Sequence, residues 1–177
     1  MRILGRSWVF GRNVNTDLIF PKTWFRAAYE PGEMASHLMS GIDEGFAARV
    51  RPGDIIVADA NFGCGSSREE AAAAMREAGI GAVVAPSFGR LFTRNCINMG
   101  VPVVTCPDIH LRVSEGDTLE IDLEAGTLRN RDSSFAATIP QIAAEALALI
   151  RDGGLRPYTR RLLEERRRQR DGTGDVA

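Results

Sequence analysis

Residues 54–105 read DIIVADANFGCGSSREEAAAAMREAGIGAVVAPSFGRLFTRNCINMGVPVVT. Asp54–Asp59 is a short apolar run and predicts a buried strand. Ala60–Gly65 is a glycine loop. Ser67–Ala78 is alanine-rich and stops at Gly79, which reads as a helix closed by a left-handed glycine. Gly81–Ala85 predicts a second buried strand, Phe88–Met99 a second helix ended by Gly100, and Val101–Thr105 a third strand. Strand, loop, helix, strand, helix and strand follow one another with short connections. That order belongs to parallel strands joined by crossover helices, an α/β arrangement.

On the N-terminal side, Ser7–Phe10 is β-like and Gly11–Asp17 is turn-rich, because Gly, Asn and Asp tolerate positive φ or bond to their own backbone. Leu18–Phe20 predicts a short strand stopped by Pro21. Lys22–Pro31 is irregular, and Glu33–Leu38 and Phe46–Arg51 are short helical turns. Beyond Pro107, the segments Leu111–Val113, Thr118–Leu123 and Thr127–Arg129 alternate with period two, with a hairpin turn at Glu124–Gly126. Ile139–Ile150 predicts an amphipathic helix broken by Gly153 and Gly154. Residues 1–155 are expected to form the folded unit. Residues 156–177 are expected to form a charged tail, a solvated helix with a frayed end.

The 177 residues are 44% apolar and 25% charged, enough for a core and too apolar for wholesale disorder. The 22 basic and 23 acidic residues leave a net charge of −1, which argues against a dedicated nucleic-acid binder. No apolar run approaches the ~20 residues of a membrane span. Met1–Arg6 has no apolar signal core, so a cytoplasmic location is expected. The three cysteines, Cys64, Cys96 and Cys106, are odd in number and lack CxxC spacing, which excludes a disulfide framework and a four-thiolate site within the chain. With only two histidines, His37 and His110, zinc and Ser-His chemistry are also poorly supplied.

The stretch Asn61–Glu70 (NFGCGSSREE) is the most informative for function. Gly63 and Gly65 permit sharp backbone angles and leave no side chain over the loop. Ser66 with Glu69, and Ser67 with Glu70, both fit the capping box, so a serine is expected to cap the helix. The free N–H groups and positive end of that helix then make an anion site. Arg68 adds a planar fork suited to a carboxylate. The dinucleotide fingerprint fails because Arg68 stands where a third glycine belongs. The P-loop lysine and the G-x-S-x-G nucleophile elbow are absent too. On generic grounds a capped helix with a tight turn stands beside the anion-site reading.

Three stretches in this order resemble one family. They are Asn13–Pro21 (NVNTDLIFP), the loop and helix from Asp54, and Ser87–Gly100 (SFGRLFTRNCINMG). Residues 5–106 look like the swivelling domain of the aconitase superfamily, and most like the small subunits of 3-isopropylmalate isomerase and archaeal-type homoaconitase. The resemblance implies a three-layer β/β/α domain with parallel central strands and a C-terminal β-hairpin region. It implies a hydro-lyase that removes and re-adds water on a hydroxy-dicarboxylic acid, active only with a large subunit. That subunit carries a [4Fe-4S] cluster, so no cofactor or metal is expected on this chain.

The resemblance also assigns roles. Ser66 is the base that takes a proton from carbon. Asp17 orients a catalytic group, although an Asx-turn explains it equally well. Arg68, Ser67, Arg26 and Gly65 are the expected substrate-binding residues. Arg26, in the loop Trp24–Ala27, suits an additional carboxylate, whereas an aliphatic residue there suits an isopropyl group. Trp24 and Phe25 pack as core or cover an alkyl substituent. Cys64 is read as a packing residue; Arg90 and Arg94, at i and i+4 on the second helix, lend positive potential to the site or simply lie at the surface. Two motifs depart from the family pattern: Glu70 replaces a histidine, and Pro86–Arg90 (PSFGR) replaces K-S-F-A-R. A homoaconitase or a methylmalate or dimethylmalate dehydratase small subunit stays open as an alternative. So does a stand-alone carboxylate-binding module.

Overall fold

The computed structural model describes residues 1–172; residues 173–177, with the frayed end expected there, lie outside the described residues. Seven strands form one curled sheet in the order β4-β3-β2-β1-β5-β6-β7. Its hub is β1 (Arg2–Phe10). Ser7–Phe10 of β1 pairs in parallel with β2 (Ile55–Ala58), whereas Arg2–Arg6 pairs antiparallel with β5 (Thr118–Asp122). One strand therefore serves two layers. Beyond β2 lie β3 (Ala82–Ala85) and β4 (Val103–Thr105), both parallel. Beyond β5 lie β6 (Thr127–Asn130) and β7 (Ala136–Thr138), both antiparallel.

Period-two alternation sends each parallel strand's side chains into two separate cores. Ile56, Ala58, Val83 and Ala85 face the helices α3 (Glu69–Glu77) and α4 (Arg90–Met99). Ile55, Val57, Ala82 and Val84 face the other way, onto Leu119, Ile121 and Leu128 of the antiparallel layer. The result is the expected three-layer β/β/α arrangement. Both faces of the parallel strands are covered, which is why DIIVAD and GAVVA read as continuous apolar runs.

Several local expectations are corrected. Thr16–Ile19 is a single helical turn, α1, rather than a strand at Leu18–Phe20, because the Asn15 side chain accepts the Leu18 N–H and starts a turn. β1 begins at Arg2 rather than Ser7, since its pairing with β5 comes from far along the chain. Leu111–Val113 is not a strand; Ile109–Leu111 is a 3-10 turn that plugs Ile109 into the β/β core. The strand β7 escaped notice because it is short and holds its place through an edge pairing with β6. The helix expected from Ile139 is α5 (Ala144–Asp152). Ile139 is instead buried in the β/β core, its N–H donating to the Gly126 carbonyl, and Pro140 keeps it extended. Gly153 closes α5 in the left-handed conformation, and the tail continues as α6 (Leu155–Gly172). Its start is packed closely, since a Cβ at Gly154 would stand 2.6 Å from the Asn98 carbonyl oxygen.

Phe92 of α4 ties the helical core to the glycine loop. It is 1% exposed, meets Phe62 edge-on at 5.5 Å, and covers Gly63 so closely that a Cβ there would lie 2.1 Å from the ring. Phe92→Ala is expected to cost about 3–5 kcal/mol of unfolding free energy, read from urea denaturation midpoints.

Candidate functional site

The site is built where the three motif stretches meet. The loop after β2 passes between the other two. On one side the Gly63 N–H donates to the Val14 carbonyl at 2.7 Å, and the Thr16 N–H donates to the Cys64 carbonyl at 3.0 Å. On the other side the Phe62 N–H donates to the Ser87 carbonyl at 3.1 Å, and the Gly89 N–H donates to the Phe62 carbonyl at 2.9 Å. Side chains add to this: the Asn61 N–H donates to Ser87 Oγ, and Asn61 Nδ2 donates to Asn13 Oδ1, both at 2.9 Å. A Cβ at Gly89 would stand 2.3 Å from the Gly63 carbonyl oxygen, so glycine is required there. Gly63 and Gly65 have φ of +70° and +99°, which glycine alone adopts without strain.

Neither serine caps α3. The helix starts at Glu69, and its N-cap is Arg68 in an extended conformation with no side-chain cap bond. The capping box fails because Ser66 and Ser67 stand two and one residues too early. Both serines are exposed, as is Gly65. Glu69 and Glu70 occupy the first turn of α3 and offset part of its positive end within the helix. The burden of holding an anion therefore falls on the loop and on Arg68. The Ser66 Oγ stands 3.3 Å from Thr16 Oγ1, and Asn95 Nδ2 donates to the Ser67 carbonyl at 3.3 Å.

Arg68 is the charged anchor. Its side chain is only 12% exposed, its Nη1 donates to Asp17 Oδ1, and its guanidinium carbon lies 5.1 Å from the centroid of the Phe25 ring. The hydrogen bond from Arg68 holds the Asp17 carboxyl below the ordinary carboxylate range, with charge attraction from Arg68 and Lys22 adding to it. Asp17 does not form an Asx-turn; Asn15 does that work, which frees Asp17 for Arg68.

The loop bearing Arg26 is seated on an aromatic cluster. Phe25 stacks on Phe20 at 6.0 Å, and Trp24 stacks flat on His37 at 3.7 Å. Both aromatic residues are therefore engaged in packing. Arg26 is exposed, and its Nη1 donates to the Thr23 and Phe25 carbonyls. It lines a cavity of about 830 Å³ shared with Tyr29, Glu69, Glu70, Asn95 and Arg156. Ser66, Ser67, Gly65, Arg68 and Asp17 thus come together, with Arg26 one residue beyond the ring that supports Arg68. Arg90 and Arg94 are exposed on α4.

Sequence reasoning passed over Thr16, Asn15 and Asn95. Thr16 lies inside the first motif, and its neighbour Asp17 drew the attention; nothing in the local pattern shows that its hydroxyl meets Ser66. The cysteines do not fit an iron–sulfur cluster. Cys96 and Cys106 are buried, and burial pushes both thiols up. Among the described residues, no group of three or more His, Cys, Asp or Glu is placed to hold a metal. No helix among them is long and apolar enough to cross a membrane.

Residues 12–108 match the family model described as the aconitase C-terminal domain. The chain belongs to this family. It is 42% identical over 163 residues to the isopropylmalate/citramalate isomerase small subunit of Methanocaldococcus jannaschii, covering 92% of this chain and 96% of that one. It is 40% identical to the 3-isopropylmalate dehydratase small subunit of Heliobacterium modesticaldum, covering 93% and 99%. It is 44% identical to the methanogen homoaconitase small subunit of Methanothermobacter thermautotrophicus, covering 86% and 88%. The crystal structure of a Methanocaldococcus jannaschii 3-isopropylmalate dehydratase superposes with a TM-score of 0.86 at 38% identity, over 98% of this chain and all of that one.

The Asp17–Arg68 pair has a defined pH dependence. Because the folded-state pKa of Asp17 is depressed, its contribution is present above the unfolded carboxylate value and is lost as pH falls through the lower folded value. Asp17 is 48% exposed, so solvent screening keeps the contribution under about 1 kcal/mol. An NMR titration of the Asp17 carboxyl carbon is expected to give a midpoint below the ordinary range, and Arg68→Gln to return it there.

Proposed function

We propose that this chain is the small subunit of a heteromeric hydro-lyase of the 3-isopropylmalate dehydratase type. In this reading it works in the cytoplasm, in leucine biosynthesis, and is active only with a large subunit. The observation that carries the proposal is the exposed Ser66, released from capping and set beside a nearly buried Arg68. Ser66 serves as the base at carbon, and Arg68 grips a substrate carboxylate with its two-pronged fork. Ser67 and the bare backbone at Gly65 receive the substrate, with no Cβ over the loop. In this reading the large subunit carries the [4Fe-4S] cluster, because burial pushes the Cys96 and Cys106 thiols of this chain up and away from the thiolate form that ligates iron. When bound, the cluster supplies the Lewis acid for the leaving hydroxyl.

Asp17 accepts from one prong of Arg68, Nη1, and the Phe25 ring supports the guanidinium from its face. A substrate carboxylate arriving at the loop meets an arginine already oriented. The cost of fixing a long side chain is met before binding.

A second substrate reading, a tricarboxylate as in homoaconitase, is favoured by one observation. Arg26 is an exposed cation on the loop that flanks Arg68, anchored there through Nη1. Anaerobic co-expression with large subunits from the same genome separates the readings. Enoate absorbance is followed with isopropylmalate, citramalate, dimethylmalate and homoaconitate. Turnover of isopropylmalate supports the first reading, and turnover only of a tricarboxylate, lost in Arg26→Leu, supports the second. If no large subunit forms a complex, the chain is a stand-alone carboxylate binder instead.

Two substitutions read out the roles. Ser66→Ala is expected to lower kcat by at least about a hundredfold with the complex intact. Arg68→Lys is expected to raise KM about tenfold or more, because a point charge does not replace the fork. Full turnover by Ser66→Ala would remove the base assignment.

A further inference from the structure

We infer that Thr16 is a positioning residue whose hydroxyl stabilises the deprotonated form of Ser66. The inference rests on the proposed role of Ser66 as the base. That role is demanding, because a serine hydroxyl is a very weak acid and each unit of pKa lowering requires about 1.4 kcal/mol of differential stabilisation.

This chain has few groups able to provide it. Arg68 is held by Asp17 and the Phe25 ring and is assigned to the substrate carboxylate. The first turn of α3 begins past both serines and holds Glu69 and Glu70. Among the described residues, the side chain in hydrogen-bond contact with Ser66 Oγ is that of Thr16.

Thr16 is built to aim that hydroxyl. It is 1% exposed. Its N–H donates to the Cys64 carbonyl and its carbonyl accepts the Phe20 N–H, both at 3.0 Å, so the backbone is fully used. Only the hydroxyl is free, and it faces two oxygens of one residue: the Ser66 carbonyl at 3.2 Å and Ser66 Oγ at 3.3 Å. A hydroxyl has one hydrogen and two lone pairs. While Ser66 is protonated, Thr16 gives its hydrogen to the carbonyl and accepts from Ser66 Oγ. Once Ser66 is an alkoxide, rotation about the Thr16 Cβ–Oγ bond turns that hydrogen to Ser66 Oγ. The observed separations leave room for this, since a charge-assisted O–H···O⁻ bond shortens to about 2.5–2.7 Å and is roughly twice as strong as a neutral one. Thr16 itself is buried, whereas the Ser66 side of the contact is open in this chain.

The proton balance is simple. Ser66 as alkoxide accepts the proton that leaves carbon and becomes a hydroxyl. In the return step it gives the proton to carbon and is an alkoxide again. The Thr16 O–H bond stays intact throughout; only its direction changes.

The test uses the assembled enzyme, this chain co-expressed anaerobically with its large subunit, and compares wild type with Thr16→Val, Thr16→Ser and Thr16→Cys. Thr16→Val is expected to lower kcat about tenfold or more near neutral pH, with KM little changed. The acid limb of its kcat/KM profile should move up by about one unit, so that activity recovers at high pH. Thr16→Ser, which keeps the hydroxyl, should restore the wild-type limb. A Thr16→Val complex with an unmoved limb would overturn the inference, even if its rate fell, because a packing role changes rate without changing the pH dependence. If Thr16→Val does not assemble, Thr16→Cys, a weaker donor of similar size, decides by the same shift. A wild-type complex that turns over no hydroxy acid, or turnover that survives Ser66→Ala, removes the proposed function and this inference together. An active, Ser66-dependent complex with a limb indifferent to Thr16 removes the inference alone.

Discussion

The backbone of Phe62–Cys64 is held from both sides by peptide hydrogen bonds, to Val14 and Thr16 on one flank and to Ser87 and Gly89 on the other. This three-way contact joins segments about fifty and twenty-five residues apart, and the rest of the site depends on it. It demands glycine at 63, where the Phe92 ring presses on the backbone, and at 89, where two backbones nearly touch. It also satisfies the loop's polar groups in a region that no regular sheet reaches. With the backbone fixed in this way, neither Ser66 nor Ser67 is used as a helix cap, and both stay exposed.

The electrostatics follow from the same contact. Drawing the first motif against the loop brings Asp17 to Arg68 and Thr16 to Ser66. It also places the aromatic cluster of Phe20, Phe25 and Tyr29 beneath the loop that carries Arg26. Charge and ring hold Arg68 in a single pose while its partner Asp17 remains half-exposed and displaceable. Glu77 acts in the same sense from α3, its carboxylate accepting the Gly32 and Ala35 N–H groups at 2.7 and 2.9 Å and tethering the segment that follows Tyr29. The positive side of the site is thus a preorganised surface rather than a closed pocket, as suits a domain completed by a partner.

The cysteines set the limit of what this chain does by itself. Two of the three thiols are buried and driven away from the thiolate form that ligates iron. Cys64, in the loop, uses its carbonyl to fix Thr16. At the glycine loop the chain presents exposed hydroxyls, bare backbone and a mostly buried arginine, groups whose chemistry suits the proposed proton transfer and carboxylate binding.

The central strands, both long crossover helices and the glycine loop were legible in the residues, because apolar runs, alanine-rich stretches and glycine stops are local signals. So were Ser66, Arg68 and Asp17, through motif order. Elements that owe their state to distant partners were not legible. The first half of β1 exists through β5, β7 through β6, and α1 through an Asn15 cap inside a turn-rich stretch. The capping box at Ser66 and Ser67 was a sound local reading that the tertiary structure overrode, since the loop's bonds to Val14 and Ser87 push the helix start to Glu69. The pattern of residues by itself determined which strands and helices lie at the centre and singled out the glycine–serine loop as the candidate site. Only the tertiary structure decided that Asp17 answers Arg68 and that Thr16 answers Ser66, because these pairs are about fifty residues apart and meet only where the backbones of two loops hydrogen-bond.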